Sequence, residues 1–151
     1  GFSNLKYPED YDFAFRVFYN RIKIINTKKI THLWRDHPRR ISRNSGNYKY
    51  VNFIPIKIKN LVVNELNNHD LVLWGAGSKG KSVAKELLNQ NCNFKWISNN
   101  VKKIGHDIYG MKIEPLNILD SEKNKLVICA ISVKNFKYLE SSKINRVVNF
   151  Y

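Results

Sequence analysis

Acidic residues are scarce in this chain: twelve Asp and Glu stand against twenty-six Lys and Arg in 151 residues, a formal charge of +14 at pH 7. Cysteine is rarer still. Cys92 and Cys129 lie in apolar surroundings without CxxC spacing, which argues against a disulfide framework and predicts two buried thiols in a reduced, cytoplasmic setting. His32, His69 and His106 have no ligand spacing to one another or to a cysteine, so zinc is not expected. No apolar run approaches the ~18 residues needed to span a bilayer, and no apolar stretch near the start resembles a signal peptide. Internal repeats and low-complexity linkers are also lacking. What is present is a chain 43% hydrophobic, too apolar for disorder and long enough for one ordinary domain or two small ones. A Glu-Asp pair within ten residues of a glycine start reads as a fragment of a longer protein.

The positive charge is unevenly built. Residues 1–60 carry thirteen basic and four acidic side chains, net +9, and residues 61–151 carry thirteen and eight, net +5. Six of the seven arginines fall between Arg16 and Arg43, whereas the second half uses almost only lysine. Arginine's planar fork suits bidentate phosphate binding, while lysine is a hydrated point charge common on surfaces. Anion-binding chemistry is therefore expected in the first segment.

A polar stretch at 64–70 divides the chain into expected domains 1–63 and 64–151. In the first, a helix is predicted over 9–20, led by Pro8, with an apolar stripe of Phe13, Val17 and Phe18. Strands are predicted at 22–25 and 30–34, joined by a turn, then a loop over 36–46. A helix over 48–66 should break or restart at Pro55. In the second, strands at 71–74, 94–97, 125–131 and 146–151 alternate with helices after residue 77 and at 136–142. That order means a small parallel, doubly wound α/β sheet. Trp34, Trp74 and Trp96 read as core residues.

Two motifs carry chemistry in the first segment. Pro8-Glu9-Asp10-Tyr11-Asp12 places adjacent carboxylates in a helix's first turn. Trp34-Arg35-Asp36-His37-Pro38-Arg39-Arg40-Ile41-Ser42-Arg43 packs four arginines and a histidine into ten residues. A carboxylate base beside phosphate-seeking cations suits an enzyme that deprotonates an alcohol next to a diphosphate leaving group. Each motif also has an ordinary reading: the acids as a first-turn complement to the helix dipole, the arginines as solvated surface. Asp12 is read as a helix-surface or Arg16-pairing residue.

In this order and spacing the two motifs resemble the end of the catalytic domain of inverting family 2 nucleotide-sugar glycosyltransferases, over roughly residues 1–62. The resemblance implies the C-terminal end of a GT-A domain. It makes Asp10 the base and Glu9 its acceptor-positioning partner. It makes Arg35, Arg40, Ser42 and Arg43 the diphosphate-binding set, and His37 a metal or phosphate ligand beside a divalent Mg or Mn ion. It implies a nucleoside diphosphate sugar and a glycan or glycoconjugate acceptor as partners, in bacterial surface polysaccharide assembly. The location implied is the cytoplasm, at or near the inner face of the membrane. The donor-binding strands and their Asp-x-Asp motif would lie upstream, in an N-terminal half of the catalytic domain, and without it the chain is not expected to transfer sugar.

Gly75-x-Gly77-x-x-Gly80 follows a predicted strand and opens a predicted helix, the context in which this pattern can cradle a phosphate, with Lys79 close by. The ribose-gripping acid expected about 20 residues on is absent: between Asp70 and Asp107 the only acid is Glu86, within the helix. NAD(P) is accordingly not an expected cofactor, although Lys102 and Lys103 could meet a 2′-phosphate. Residues 71–115 also resemble the small Rossmann-like amino-terminal domains of sugar acyltransferases, whose loop meets a sugar nucleotide. The loop's glycines could equally serve only the turn. Two alternatives stay open for the whole chain. One is a basic nucleic-acid-binding module, although no nucleic-acid partner is expected. The other is a small nucleotide- or NAD(P)-binding module.

Overall fold

A computed structural model describes residues 8–67, 69–121, 124–131 and 146–149. The chain divides into two compact units, Gly1–Ile56 and Lys57–Tyr151. Among the described residues no helix is long and apolar enough to cross a membrane.

The first unit is built on helix α1 (Glu9–Tyr19), which begins after Pro8 without a side-chain cap. Glu9, Asp10 and Asp12 in its first turn offset the exposed N–H groups there, and Arg16 occupies its last turn. Asp12 is 9% exposed, and its Oδ2 accepts from Arg16 Nε at 3.0 Å, so the pairing half of its expected role is observed. The packed face of α1 differs from the expected stripe. Tyr11 meets Phe15 edge-on at 5.0 Å and Phe53 at 5.2 Å, and Phe15 stacks on Tyr19 at 6.1 Å. Phe13 and Phe18 are exposed and, with Val17, line an open groove beside Ile22 and Ile24. Both stripes have helical spacing, and only contact with a second element decides which one packs.

The strands expected at 22–25 and 30–34 do not form. Ile24, Ile30 and Leu33 are 79%, 84% and 85% exposed, and Trp34, expected in the core, lies open at 70%. β-Branched composition makes a segment compatible with a strand, but a ladder partner makes it one. None pairs with it among the described residues. The expected loop at 36–46 contains a short helix, α2 (Ile41–Asn44), then single 3-10 turns at Gly46–Tyr48 and Tyr50–Phe53. Helix α3 (Ile54–Glu65) starts just before Pro55, where a missing N–H costs nothing, and carries the chain across the division.

The second unit is an α/β sheet in the order β3-β4-β2-β1-β5-β6. Its strands are β1 (Asp70–Trp74), β2 (Lys95–Ile97), β3 (Asp107–Ile108), β4 (Met111–Glu114), β5 (Lys125–Cys129) and β6 (Arg146–Asn149). All neighbours are parallel except β3, which pairs antiparallel with β4. Helix α4 (Ser78–Asn89) connects β1 to β2 and buries Val83, Ala84 and Leu87, while short α5 (Ile118–Ser121) precedes β5. The β3–β4 hairpin was not expected: its strands are short and polar, and Gly105 and Gly110 announced only turns. The helix expected at 136–142 lies outside the described residues.

β1 and β5 are buried almost throughout, as continuous apolar runs in the middle of a parallel sheet require. Val72, Trp74, Ile97, Leu119, Val127 and Cys129 form one buried cluster. Lys125 is the polar exception at 1% exposed, its Nζ donating to the Ile118 carbonyl at 2.8 Å and the Leu119 carbonyl at 3.0 Å. This ties α5 to the start of β5. Lys125→Met keeps the stem and withdraws the donor from both carbonyls, so it should lower unfolding free energy by about 1–3 kcal/mol. A urea midpoint equal to wild type would show the two bonds to be idle.

Cys129 is buried as expected, but Cys92 is only half-buried, and neither is in a disulfide. Burial pushes the Cys129 thiol above its ordinary 9.0, against a smaller opposing pull from a hydrogen bond with the Ile131 backbone. Burial, then the Glu86 carboxylate, raise Cys92 as well. A raised acid is held neutral by the fold. Its contribution is fully present below the unfolded value and is lost as pH rises through the folded one. Iodoacetamide at neutral pH should therefore modify Cys92 slowly and Cys129 only on unfolding, and the denaturation midpoint should fall above about pH 9. Rapid labelling of native Cys129 would contradict this.

Candidate functional site

The glycine loop lies where the sheet order reverses. From β1 the chain fills β2 and β4 on one side, then crosses to place β5 and β6 on the other. Strand ends diverge at such a switch point and leave a crevice beyond their carboxyl ends. Here the crevice is a cleft of about 280 Å³. It is lined by Gly75, Ala76 and Gly77 after β1, by Ser98, Asn99, Asn100 and Lys103 after β2, and by Ala130 and Ile131 after β5.

The three glycines answer to different constraints. Gly75 has φ +119, and a Cβ there would stand 2.9 Å from the Ala130 carbonyl oxygen. Its N–H donates to Ile97 O at 2.9 Å, and its own carbonyl accepts from buried Trp96 Nε1 at 2.9 Å. A Cβ on Gly80 would fall 1.8 Å from that same carbonyl oxygen, so the helix can seat on the loop only without a side chain at this position. Gly77 is the N-cap of α4, with φ −79 and ψ −173, and a Cβ there would meet nothing within 4 Å. Neither backbone geometry nor packing demands glycine at 77.

The loop after β2 is held by its own polar groups. Ser98 is 2% exposed and its Oγ accepts the Asn100 N–H at 3.1 Å. Asn100 Oδ1 accepts from Lys102 N at 3.1 Å, and Asn100 O from Lys103 N at 2.8 Å. This turn brings Lys103 back across the cleft, where its Nζ donates to the Ala76 carbonyl. Lys79 is expected beside the loop. Lys79 stands exposed on the first turn of α4, outside the cleft lining. The absence of an acid after β2 gives no pointer to Ser98, Asn99 and Asn100, and no local signal shows that Lys103, twenty-seven positions from Ala76, reaches it.

In the first unit the acidic pair lies at the start of α1. Asp10 is exposed and its Oδ1 accepts the Tyr11 N–H at 2.9 Å. Glu9 is half-buried, with Oε2 shielded from solvent and without a hydrogen-bond partner among the described residues. Burial, then the neighbouring Tyr50, raise the Tyr11 hydroxyl above its ordinary value, keeping it a neutral donor.

The arginine run is organised around Asp36. Its Oδ2 accepts from Arg43 Nη2 at 2.7 Å and its Oδ1 from Arg40 Nη1 at 3.5 Å, while the Arg40 guanidinium lies 4.5 Å over the Trp34 ring. The Asp36 side chain is 56% exposed, and pairs so wetted are worth only about 0–1 kcal/mol. Arg40 and Arg43 are thus grouped without being locked. Arg35, His37 and Ser42 are exposed, and the His37 carbonyl accepts from Arg40 N in the turn leading to α2. Among the described residues no hydrogen bond or ion pair joins Glu9 or Asp10 to this run. No group of three or more metal-ligating side chains occurs among them either. A divalent ion at His37 would need its other ligands from elsewhere.

Compared with known proteins, the chain matches no protein-family model and no curated protein. The glycosyltransferase resemblance therefore rests on the quoted motifs alone.

Proposed function

We propose that this chain is part of an inverting nucleotide-sugar glycosyltransferase, its first unit supplying the acceptor-activating end of a GT-A catalytic domain and its second an accessory Rossmann-like module. The observation that carries the reading is the disposition of Asp10. It is an exposed carboxylate at the head of an eleven-residue helix whose only hydrogen bond among the described residues is to its neighbour's N–H, with Glu9 beside it. The Arg40–Asp36–Arg43 cluster is its complement, a set of cations gathered by one weakly held acid.

In the proposed reaction the acceptor hydroxyl oxygen attacks the anomeric carbon as Asp10 takes its proton. The bond from that carbon to the diphosphate oxygen breaks, and the diphosphate leaves with the electron pair. Glu9 orients the acceptor. Arg40 and Arg43 exchange Asp36 for the departing phosphates, joined by Arg35 and Ser42. A divalent ion, when bound, would neutralise further diphosphate charge. Attack from the face opposite the leaving group inverts the anomeric centre. We place the work at the cytoplasmic face of a membrane, on a glycan or glycoconjugate acceptor.

The test is release of nucleoside diphosphate from a panel of sugar nucleotides by the complete gene product carrying this chain, with and without glycan acceptors. Acceptor-dependent release supports the reading. No release from any donor, together with RNA or DNA affinity that falls steeply with salt, would replace it with a basic nucleic-acid module.

A further inference from the structure

The first unit presents an apolar surface interleaved with cations. Every residue from 20 to 39 is exposed, and six of them are large and apolar: Ile22, Ile24, Ile25, Ile30, Leu33 and Trp34. Single exposed apolar side chains are ordinary, whereas a run of them marks a surface that another body covers. The segment pairs with no strand among the described residues. It leads out of the open groove on α1, about 730 Å³, whose lining is apolar apart from Arg21 and Lys23.

Charge decides what kind of body that is. No carboxylate occurs between Asp12 and Asp36, and both of these are engaged by arginines. Over the same stretch Arg21, Lys23, Lys28, Lys29 and Arg35 stand exposed. A second copy of the chain would set these cations against their own kind, which opposes association. The partner is therefore anionic, and it must accept apolar side chains and cations that alternate along extended backbone. A lipid headgroup layer meets both demands. Apolar side chains enter the acyl boundary, Lys and Arg stems reach back to the phosphates, and water at that depth still serves backbone groups outside any ladder. Tryptophan favours the same level.

We propose that residues 20–35, with the groove on α1, form a docking surface for an anionic lipid bilayer and lie in its interface without crossing it. The assignment rests on exposure and charge within the first unit. It gives residues to the membrane placement proposed above, and it holds or fails independently of sugar transfer.

Trp34 supplies the readout, because Trp74 and Trp96 are buried and it alone of the three tryptophans is exposed. The whole 151-residue chain is titrated with phosphatidylcholine vesicles, with and without phosphatidylglycerol, and followed by fluorescence and co-sedimentation. Binding to the anionic vesicles alone is expected, with a blue shift of Trp34 emission and its protection from acrylamide. Lys28→Gln combined with Lys29→Gln should weaken that binding about tenfold or more. Ile25→Ser combined with Ile30→Ser should do the same by removing apolar contact. All four side chains are exposed, so urea midpoints should match wild type, and if one pair fails to fold the other decides. No binding to anionic vesicles, equal binding to both kinds, unchanged Trp34 emission on binding, or undiminished affinity in a folded double variant would overturn the proposal. So would a lipid-free dimer that Ile25→Ser with Ile30→Ser dissolves, since a second copy would then cover the surface.

Discussion

Under the proposed glycosyltransferase function, Asp10→Asn in the complete gene product should abolish sugar transfer, lowering turnover by about 10²–10⁴-fold while leaving donor affinity nearly intact. The substitution removes basicity and little else. Asp10 is exposed, and its one hydrogen bond among the described residues is accepted from the Tyr11 N–H, which an asparagine oxygen can still accept. The start of α1 therefore keeps its geometry, and a lost rate cannot be put down to a lost fold. The discriminating readout is the split between turnover and donor binding: a general base acts on the acceptor's proton, so the donor should bind as before. Turnover within about threefold of wild type would remove Asp10 from the mechanism, since a positioned base is worth far more.

The second large effect is structural. Gly80→Ala should destabilise the second unit by about 3 kcal/mol or more, at or above the upper end of ordinary overpacking. The added carbon would lie 1.8 Å from Gly75 O and 2.7 Å from Gly75 C, both backbone atoms that cannot rotate away. Relief requires α4 to lift from the loop, which would also disturb the bond from Trp96 Nε1 to the same carbonyl. Gly77→Ala is the internal control from the same motif: its added carbon meets nothing within 4 Å and should cost under about 1 kcal/mol. Urea unfolding of both variants checks the pair, and equal midpoints would contradict the packing argument.

Much of the second unit was legible in the sequence because its signals are local. A short apolar run, glycines at fixed spacing and a periodic helix follow one another without interruption, and β1, the loop and α4 appear where expected. The first unit was harder to read. Residues 22–34 have strand composition but no ladder among the described residues, and whether a ladder exists depends on a partner that composition does not name. On α1, Phe13-Val17 and Tyr11-Phe15-Tyr19 are equally good stripes, and Phe53, far along the chain, decides between them. The site divides in the same way. Gly75 and Gly80 could be found from their pattern, whereas Lys103 and Ser98 reach the cleft only through the turn after β2, whose closure depends on hydrogen bonds at Ser98 and Asn100.

The small β3–β4 hairpin has a consequence for how the sheet meets other chains. Its two-residue turn uses Tyr109 at φ 59 and Gly110 at φ 75, with the Gly110 N–H bonded to Asp107 Oδ1 at 2.9 Å and Tyr109 stacked near Trp96 at 6.3 Å. Positive φ at both positions matches the twist of tightly paired antiparallel strands and fixes the hairpin's register. β3 then covers the outer edge of β4 with only two residues of its own, Asp107 and Ile108. A row of unpaired N–H and C=O groups would recruit any passing strand, and a very short strand beginning with a charge is a poor template for one. The hairpin acts as a selvedge, closing that border of the sheet against edge-to-edge aggregation.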